Sequence, residues 1–173
     1  MTVELAEYLI GLHKYIIHNG EMQDTFLIDI EYPMNIRLTL STLDSSEQSF
    51  LVDIKESEKK SLKISLHHQD NSSRNGLLRI DFNGRHLNPV EVIETVPEIF
   101  RPFAGQWLDD YNGHIHYIVN GYKPLVWAIP LEVDDFTVKE LNGKEDYIRM
   151  LKAFFLKINL KTSIRFNHQM TII

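Results

Sequence analysis

The feature that most restricts this chain is the period of its apolar residues between Thr25 and Phe82. They recur at every second position: Phe26, Ile28 and Ile30; Ile36, Leu38 and Leu40; Phe50, Val52 and Ile54; Leu62, Ile64 and Leu66; Leu78, Ile80 and Phe82. Successive side chains of a β-strand point to opposite faces, so this rhythm predicts five consecutive strands, each apolar on one side. The stretches between them, Tyr32-Pro33-Met34-Asn35, Asp44-Ser45-Ser46-Glu47, Glu56-Ser57-Glu58-Lys59-Lys60 and Gln69 to Gly76, have turn chemistry. Adjacent strands are therefore expected to pair as an antiparallel meander.

Outside that region the period lengthens. Leu5, Leu9, Leu12 and Ile16, with Tyr8 and Tyr15 alongside, predict a helix from Val3 to His18, capped by Thr2 and stopped at Asn19-Gly20. Tyr147, Leu151, Phe154, Phe155 and Ile158 predict a second helix over Lys144 to Lys161. Between Pro89 and Asn112 the periodicity is lost, and Pro97, Pro102 and Gly105 interrupt a stretch whose Ile99, Phe100, Phe103 and Trp107 need cover. This reads as a long packed loop with one short helix, a kind of segment that often carries function. Two more strands, His114 to Asn120 and Leu125 to Leu131, flank the turn at Asn120-Gly121-Tyr122-Lys123-Pro124, and Thr162 to Ile173 is expected to add an edge strand. The expected class is α+β: a mainly antiparallel sheet of about seven strands with an N-terminal and a C-terminal helix packed on its apolar face. With no repeat, low-complexity tract or linker, residues 1–173 are read as a single domain.

Composition narrows the function classes. No apolar run approaches the ~18 residues that span a bilayer, and the N-terminus lacks the order of a signal peptide, so the chain is expected to be cytoplasmic with no membrane partner. The absence of cysteine removes disulfides, thiolate metal sites and cysteine nucleophiles. A net charge of −6 argues against broad binding to a nucleic-acid backbone, while leaving room for a local basic patch that acts on RNA. There is no Gly-rich phosphate loop and no Gly-x-Ser-x-Gly turn, which sets aside nucleotide hydrolysis and serine-esterase chemistry.

The same parity that gives each strand an apolar face gives it a polar one. In a meander Arg37, Lys63, His67, Arg79, Asp81, His114 and His116 project from one surface. Lys63, Thr39 and Ser65 read as ordinary decoration of a solvated sheet face. His114 and His116, together with Arg79, Asp81, Arg85 and His86, are titratable groups clustered beside the irregular loop, which makes them a candidate site. Residues two apart on a strand are separated by roughly 6.6 Å, so the two histidines can flank one small group or chelate one ion. Imidazoles with pKa values of about 6.5 can exchange a proton at neutral pH, and an arginine supplies a fixed cation for a phosphodiester gaining charge in its transition state.

Metal-independent RNA cleavage uses such a set. His114 and His116 would be acid and base, His86 an assisting group and Asp81 the orienting carboxylate, with Arg79, Arg85 and Asn83 binding substrate. A metal reading uses the same atoms, with His114, His116 and His86 or Asp81 around an open position. A His-x-His pair lacks the spacing of a known metal motif, so no metal and no cofactor is assigned. Other conspicuous residues have plainer readings. His67-His68 is taken as a solvated loop shoulder, and His13, His18 and His168 as surface or capping groups. Trp107, Trp127, Phe100, Phe103 and Tyr122 are taken as packing rather than base-stacking groups. Asn88-Pro89 is taken as the end of the strand region.

The run Arg79-Ile80-Asp81-x-Asn83-Gly84-x-His86-x-Asn88-Pro89, followed by His114-Ile115-His116, Gly121-Tyr122 and Trp127-Ala128-x-Pro130-Leu131, resembles the pattern of a family of small uncharacterised proteins from bacteria and their mobile elements. It is also loosely similar to ribonuclease-type toxins whose strands carry Arg, Asp and several His. The separation of His86 from His114 is longer here than in that pattern, which implies an inserted loop that alters access to the site. Two functions remain open at this point. One is a ribonuclease-like protein of the toxin or defence type, acting on RNA. The other is a noncatalytic module of a host-conflict system that docks a protein partner, an antitoxin or a host protein, with the histidines holding sheet and loop together.

Overall fold

Thr2 opens the chain's first element as the sequence predicts. Its backbone is extended and its Oγ1 accepts the Leu5 N–H at 3.3 Å, capping helix α1 (Val3–Gly11). This computed structural model describes residues 1–43, 48–60 and 62–168, so the expected turn over 44–47, the last part of the expected edge strand and the side chain of His168 lie outside the described residues. The helix expected to reach His18 ends early. Tyr15-Ile16-Ile17 is an aromatic and β-branched run, which suits a pleated surface better than a helical turn. These residues form strand β1 (Tyr15–His18), and Asn19 and Gly20, with φ of 53° and 81°, make the two-residue turn into β2 (Glu21–Gln23) instead of a helix stop.

Strands β3 (Thr25–Ile30), β4 (Asn35–Ser41), β5 (Ser49–Glu56), β6 (Ile64–Asp70), β7 (Gly76–Phe82), β8 (Gly113–Tyr117) and β9 (Trp127–Pro130) follow, then helix α2 (Asp146–Lys157) and β10 (Ser163–His168). The architecture is α+β, with an eight-stranded sheet in the order β2-β1-β4-β5-β6-β7-β8-β9, and every pairing in it is antiparallel. One strand leaves the expected meander. The edge of β4 is taken by β1, with Tyr15 opposite Ser41, so β3 pairs instead with β10, in parallel, as a separate two-stranded sheet. The apolar parity then works as predicted: Ile36, Ile54, Leu66, Ile80, Ile115 and Ile129 stand opposite one another across six strands and are buried. Tyr147, Met150, Leu151, Phe154 and Phe155 of α2 and Ala6 and Leu9 of α1 complete the same core. The segment between β7 and β8 is a long loop with one short 3₁₀ turn, Arg101–Phe103, and Phe100 packs edge-on against Tyr117 and Trp127.

Lys14, which no sequence pattern singles out, fastens the helices to the sheet. Its side chain is fully buried, and Nζ donates to the carbonyls of Ile10 (2.8 Å), Leu12 (3.0 Å) and Ile158 (3.0 Å). These carbonyls belong to the C-terminal ends of both helices, where orphan oxygens and the negative end of the helix dipole favour a cation. Burial pushes the ammonium down to about 7. Lys14→Met should cost about 3 kcal/mol, because three buried or part-buried carbonyls lose their donor together, and urea unfolding measures it. The folded chain releases this proton near pH 7 and the unfolded chain near 10.5, so the unfolded state binds more protons between those values. Stability should therefore rise with pH across that window in the parent chain, and the variant should lack that part of the rise.

Candidate functional site

Strand register assembles the site. Arg37, Asp53, His67, Arg79 and His116 are direct cross-strand partners in one row over β4 to β8, and Lys55, Ser65, Asp81 and His114 form the next row. The shared face expected for Arg37, His67, Arg79, Asp81, His114 and His116 is present, and Lys63 lies just before β6 and is exposed. His68 corrects the loop-shoulder reading. It lies mid-strand, opposite Val52 and Leu78, so parity sends it into the core, where it is fully buried beside Phe50 with both ring nitrogens unpartnered.

Asp81 is the centre of the polar cluster. Its carboxylate receives a two-pronged contact from Arg79, Nε to Oδ1 at 3.0 Å and Nη2 to Oδ2 at 2.8 Å. The same Oδ2 lies 3.1 Å from His116 Nε2 and 3.5 Å from His114 Nε2. His116 Nδ1 donates to the Leu125 carbonyl at 2.9 Å, while neither ring nitrogen of His114 has a hydrogen-bond partner. His86 donates from Nε2 to the Val126 carbonyl at 3.0 Å, and its ring stands 4.5 Å from that of His116 and 5.7 Å from that of His114. Exposure decides what these groups can touch: His114 is 0%, His116 2% and Asp81 5% exposed. Burial pushes the Asp81 carboxyl up, but His114, His116 and Arg79 outweigh it and hold the group well below the usual range. Burial pushes His116 down against the pull of Asp81, and takes His86 down to about 4 with help from the charge of His116.

The loop after β7 forms the lid of this cluster. Gly84 is pressed so close that a Cβ there would stand 3.2 Å from Asp81 Cβ and 3.4 Å from His114 Cε1, which explains a glycine at this point. Asn83 has φ of 50° and donates from Nδ2 to the Leu62 carbonyl at 2.9 Å, so its amide ties loop to loop, and the residue lines a cavity with Lys60 and Arg85. Arg85 stays outside, paired with Asp109 at 3.1 Å and lying 4.7 Å over the Trp107 ring. Asn88 does more than end a strand. Its amide donates to Ala128 O at 2.8 Å and accepts from Ala128 N at 2.9 Å, closing the free edge of β9 as a neighbouring strand would. An asparagine before proline at the start of a covering loop was the available signal, but its partner lies 40 residues away.

Outside the cluster lie two adjoining cavities that share Lys55, Ser65 and Arg79. One, of about 550 Å³, is also lined by Asp53, His67 and Arg74. The other, of about 250 Å³, reaches Lys63, Asp81, Gly84 and Arg85. Among the described residues no ion pair or side-chain hydrogen bond engages Lys55, Lys63 or Arg74.

The chain belongs to DUF6978, a family of unknown function, whose sequence model matches residues 1–160. That match takes in both helices and strands β1 to β9. No curated protein and no solved structure matches the chain. Among the described residues no helix is long and apolar enough to cross a membrane.

Asn88→Ala should cost about 2 kcal/mol, since Ala128 N–H and C=O then lose their partners under the loop. Amide exchange at Ala128 should accelerate more than exchange in β5 or β6, which localises the loss to the β9 edge.

Proposed function

We propose that this chain is a noncatalytic binding module that holds RNA by its phosphates across the polar face of the main sheet. The observation behind this reading is the pair of adjoining cavities, where Lys55, Lys63 and Arg74, without an ion-pair partner among the described residues, stand with Arg79 and outnumber the acidic Asp53, Glu56 and Asp81 of the lining, on a chain whose net charge is −6. A cationic groove within an acidic surface confines a polyanion to one place. Arg79 adds a pre-oriented guanidinium, braced by Asp81 on one side and 46% exposed on the other. Trp107, half exposed, stacks at 4.7 Å on Arg85, which lines the smaller cavity, and so offers a base an aromatic surface next to that arginine.

Burial of the histidines supports the noncatalytic side. A general acid or base must come within hydrogen-bond reach of the proton it moves, about 2.6–3.2 Å. His114 has no exposed surface, and His116 spends Nδ1 on the Leu125 carbonyl and turns Nε2 to Asp81. His116 and His86 fasten the turn at Leu125 and Val126 to the sheet and covering loop, a role in fold rather than turnover.

The test is fluorescence anisotropy with a labelled single-stranded RNA over a salt series. Binding should weaken with salt at a slope of about 0.7 per phosphate contact, and each of Lys55→Ala, Lys63→Ala and Arg74→Ala should reduce both affinity and slope. Affinity in all three variants equal to that of the parent chain, or no binding at low salt, would overturn the reading. So would cleavage of the RNA that survives EDTA and disappears in His116→Ala.

A further inference from the structure

The hub at Asp81 brings together more nitrogen and oxygen donor atoms than its hydrogen bonds pair, since both ring nitrogens of His114 are left over. Leu125 O can only accept, so His116 carries its proton on Nδ1. In a neutral imidazole Nε2 is then a lone pair, and it faces the carboxylate oxygen Asp81 Oδ2 at 3.1 Å. A second imidazole, fully buried, directs its own unpartnered Nε2 at the same oxygen from 3.5 Å. Three potential metal-donor atoms from three side chains thus converge on one small volume.

We infer that Asp81, His114 and His116 form a binding site for one divalent transition-metal ion of the zinc class. The three donor atoms lie within 4.8 Å of one another. An ion bound at ~2.0–2.2 Å in tetrahedral geometry separates its ligands by roughly 3.3–3.6 Å. The two carboxylate-to-imidazole distances, 3.1 and 3.5 Å, fall around that spacing. One ion can hold all three donor atoms at once and engages one of the two orphaned nitrogens of His114. Two imidazoles and one carboxylate suit a borderline metal, and no thiolate is available to shift the preference.

The surroundings resemble the outer partners of a metal site. Metal-binding histidines commonly donate their far nitrogen to a carbonyl, and bound carboxylates are themselves hydrogen-bonded. Leu125 O serves His116 in this way and Arg79 serves Asp81. The cavity of about 250 Å³ is lined by Asp81 and Gly84, which brings solvent to the carboxylate side of the trio. The site is assembled from two neighbouring strands whose pairing places Asp81 opposite His114, so the donors stand ready before an ion arrives.

The experiment begins with the full chain stripped by chelator and dialysed, then titrated with Zn²⁺ or Co²⁺. One equivalent should bind, the cobalt form should show visible d–d absorption of low-symmetry intensity, and the thermal midpoint should rise with free zinc. His114→Ala and His116→Ala should lose the absorption, whereas a His13→Ala/His18→Ala double variant should keep it. Imidazole ¹⁵N shifts of the parent chain provide the same test without a substitution, since zinc should move the signals of His114 and His116 together. Substoichiometric binding without d–d bands would overturn the site, as would binding that persists in folded His114→Ala or is lost in the double variant. Imidazole signals that show His116 protonated on both nitrogens and indifferent to zinc would also overturn it.

Discussion

The buried carboxylate of Asp81 is the constraint on which this half of the molecule depends. A charge with 5% of its residue surface left in water must be met by opposite charge and hydrogen bonds, or it will neutralise or drag the structure open. Arg79 meets it from two positions back on the same strand, and His114 and His116 meet it from the neighbouring one. The meeting is a property of register. Arg79 opposes His116 and Asp81 opposes His114, so a one-residue slip of β8 against β7 would turn the imidazoles into the apolar core. Pairing and polar cluster therefore specify each other, and the loop carrying Gly84, His86 and Asn88 can close only over the correctly registered pair.

What was readable in the chain follows from distance along it. Period-two spacing is local, and it located five strands and the face shared by Arg37, His67, Arg79, Asp81, His114 and His116. The departures are each nonlocal. Ile16 fits a helical stripe as well as a strand, and it became strand because Tyr15-Ile16-Ile17 could extend the sheet along β4. That left β3 to pair with β10, more than a hundred residues away in sequence. His68 was misplaced because strand β6 runs on to Asp70, carrying the parity of the core past the point where the apolar pattern fades.

The site was legible as a set of residues and not as an environment. Alternation says which side chains share a face, but only the covering loop says which of them keep contact with water. His114 and His116 are therefore found together as expected, yet enclosed, because the segment after Phe82 returns over them and is pinned by Asn88 to Ala128 and by His86 to Val126. Lys14 illustrates the opposite blindness: a lone lysine between a helix and a strand has no pattern, and its meaning comes from carbonyls of two helix ends that only the folded chain brings together.

One polar row thus passes from solvent to interior. Arg37 is mostly exposed and paired with Asp53, Arg79 stands half in water, and His116 is buried. Arg79 is the point of contact between the two regimes, because one fork of its guanidinium is committed to Asp81 while its outer surface borders both cavities. The positive charge it presents outward depends on how far the carboxylate behind it is already neutralised. A cation, proton or metal, that engages Asp81 Oδ2 weakens the claim of the carboxylate on Arg79 and leaves more of the guanidinium's charge for an anion in the groove. An anion outside, by the reciprocity of linked binding, must favour the cation within by the same free energy. In the proposed arrangement the buried histidines need not touch a ligand to influence its affinity, since Arg79 stands between them and the groove and would carry the electrostatic coupling.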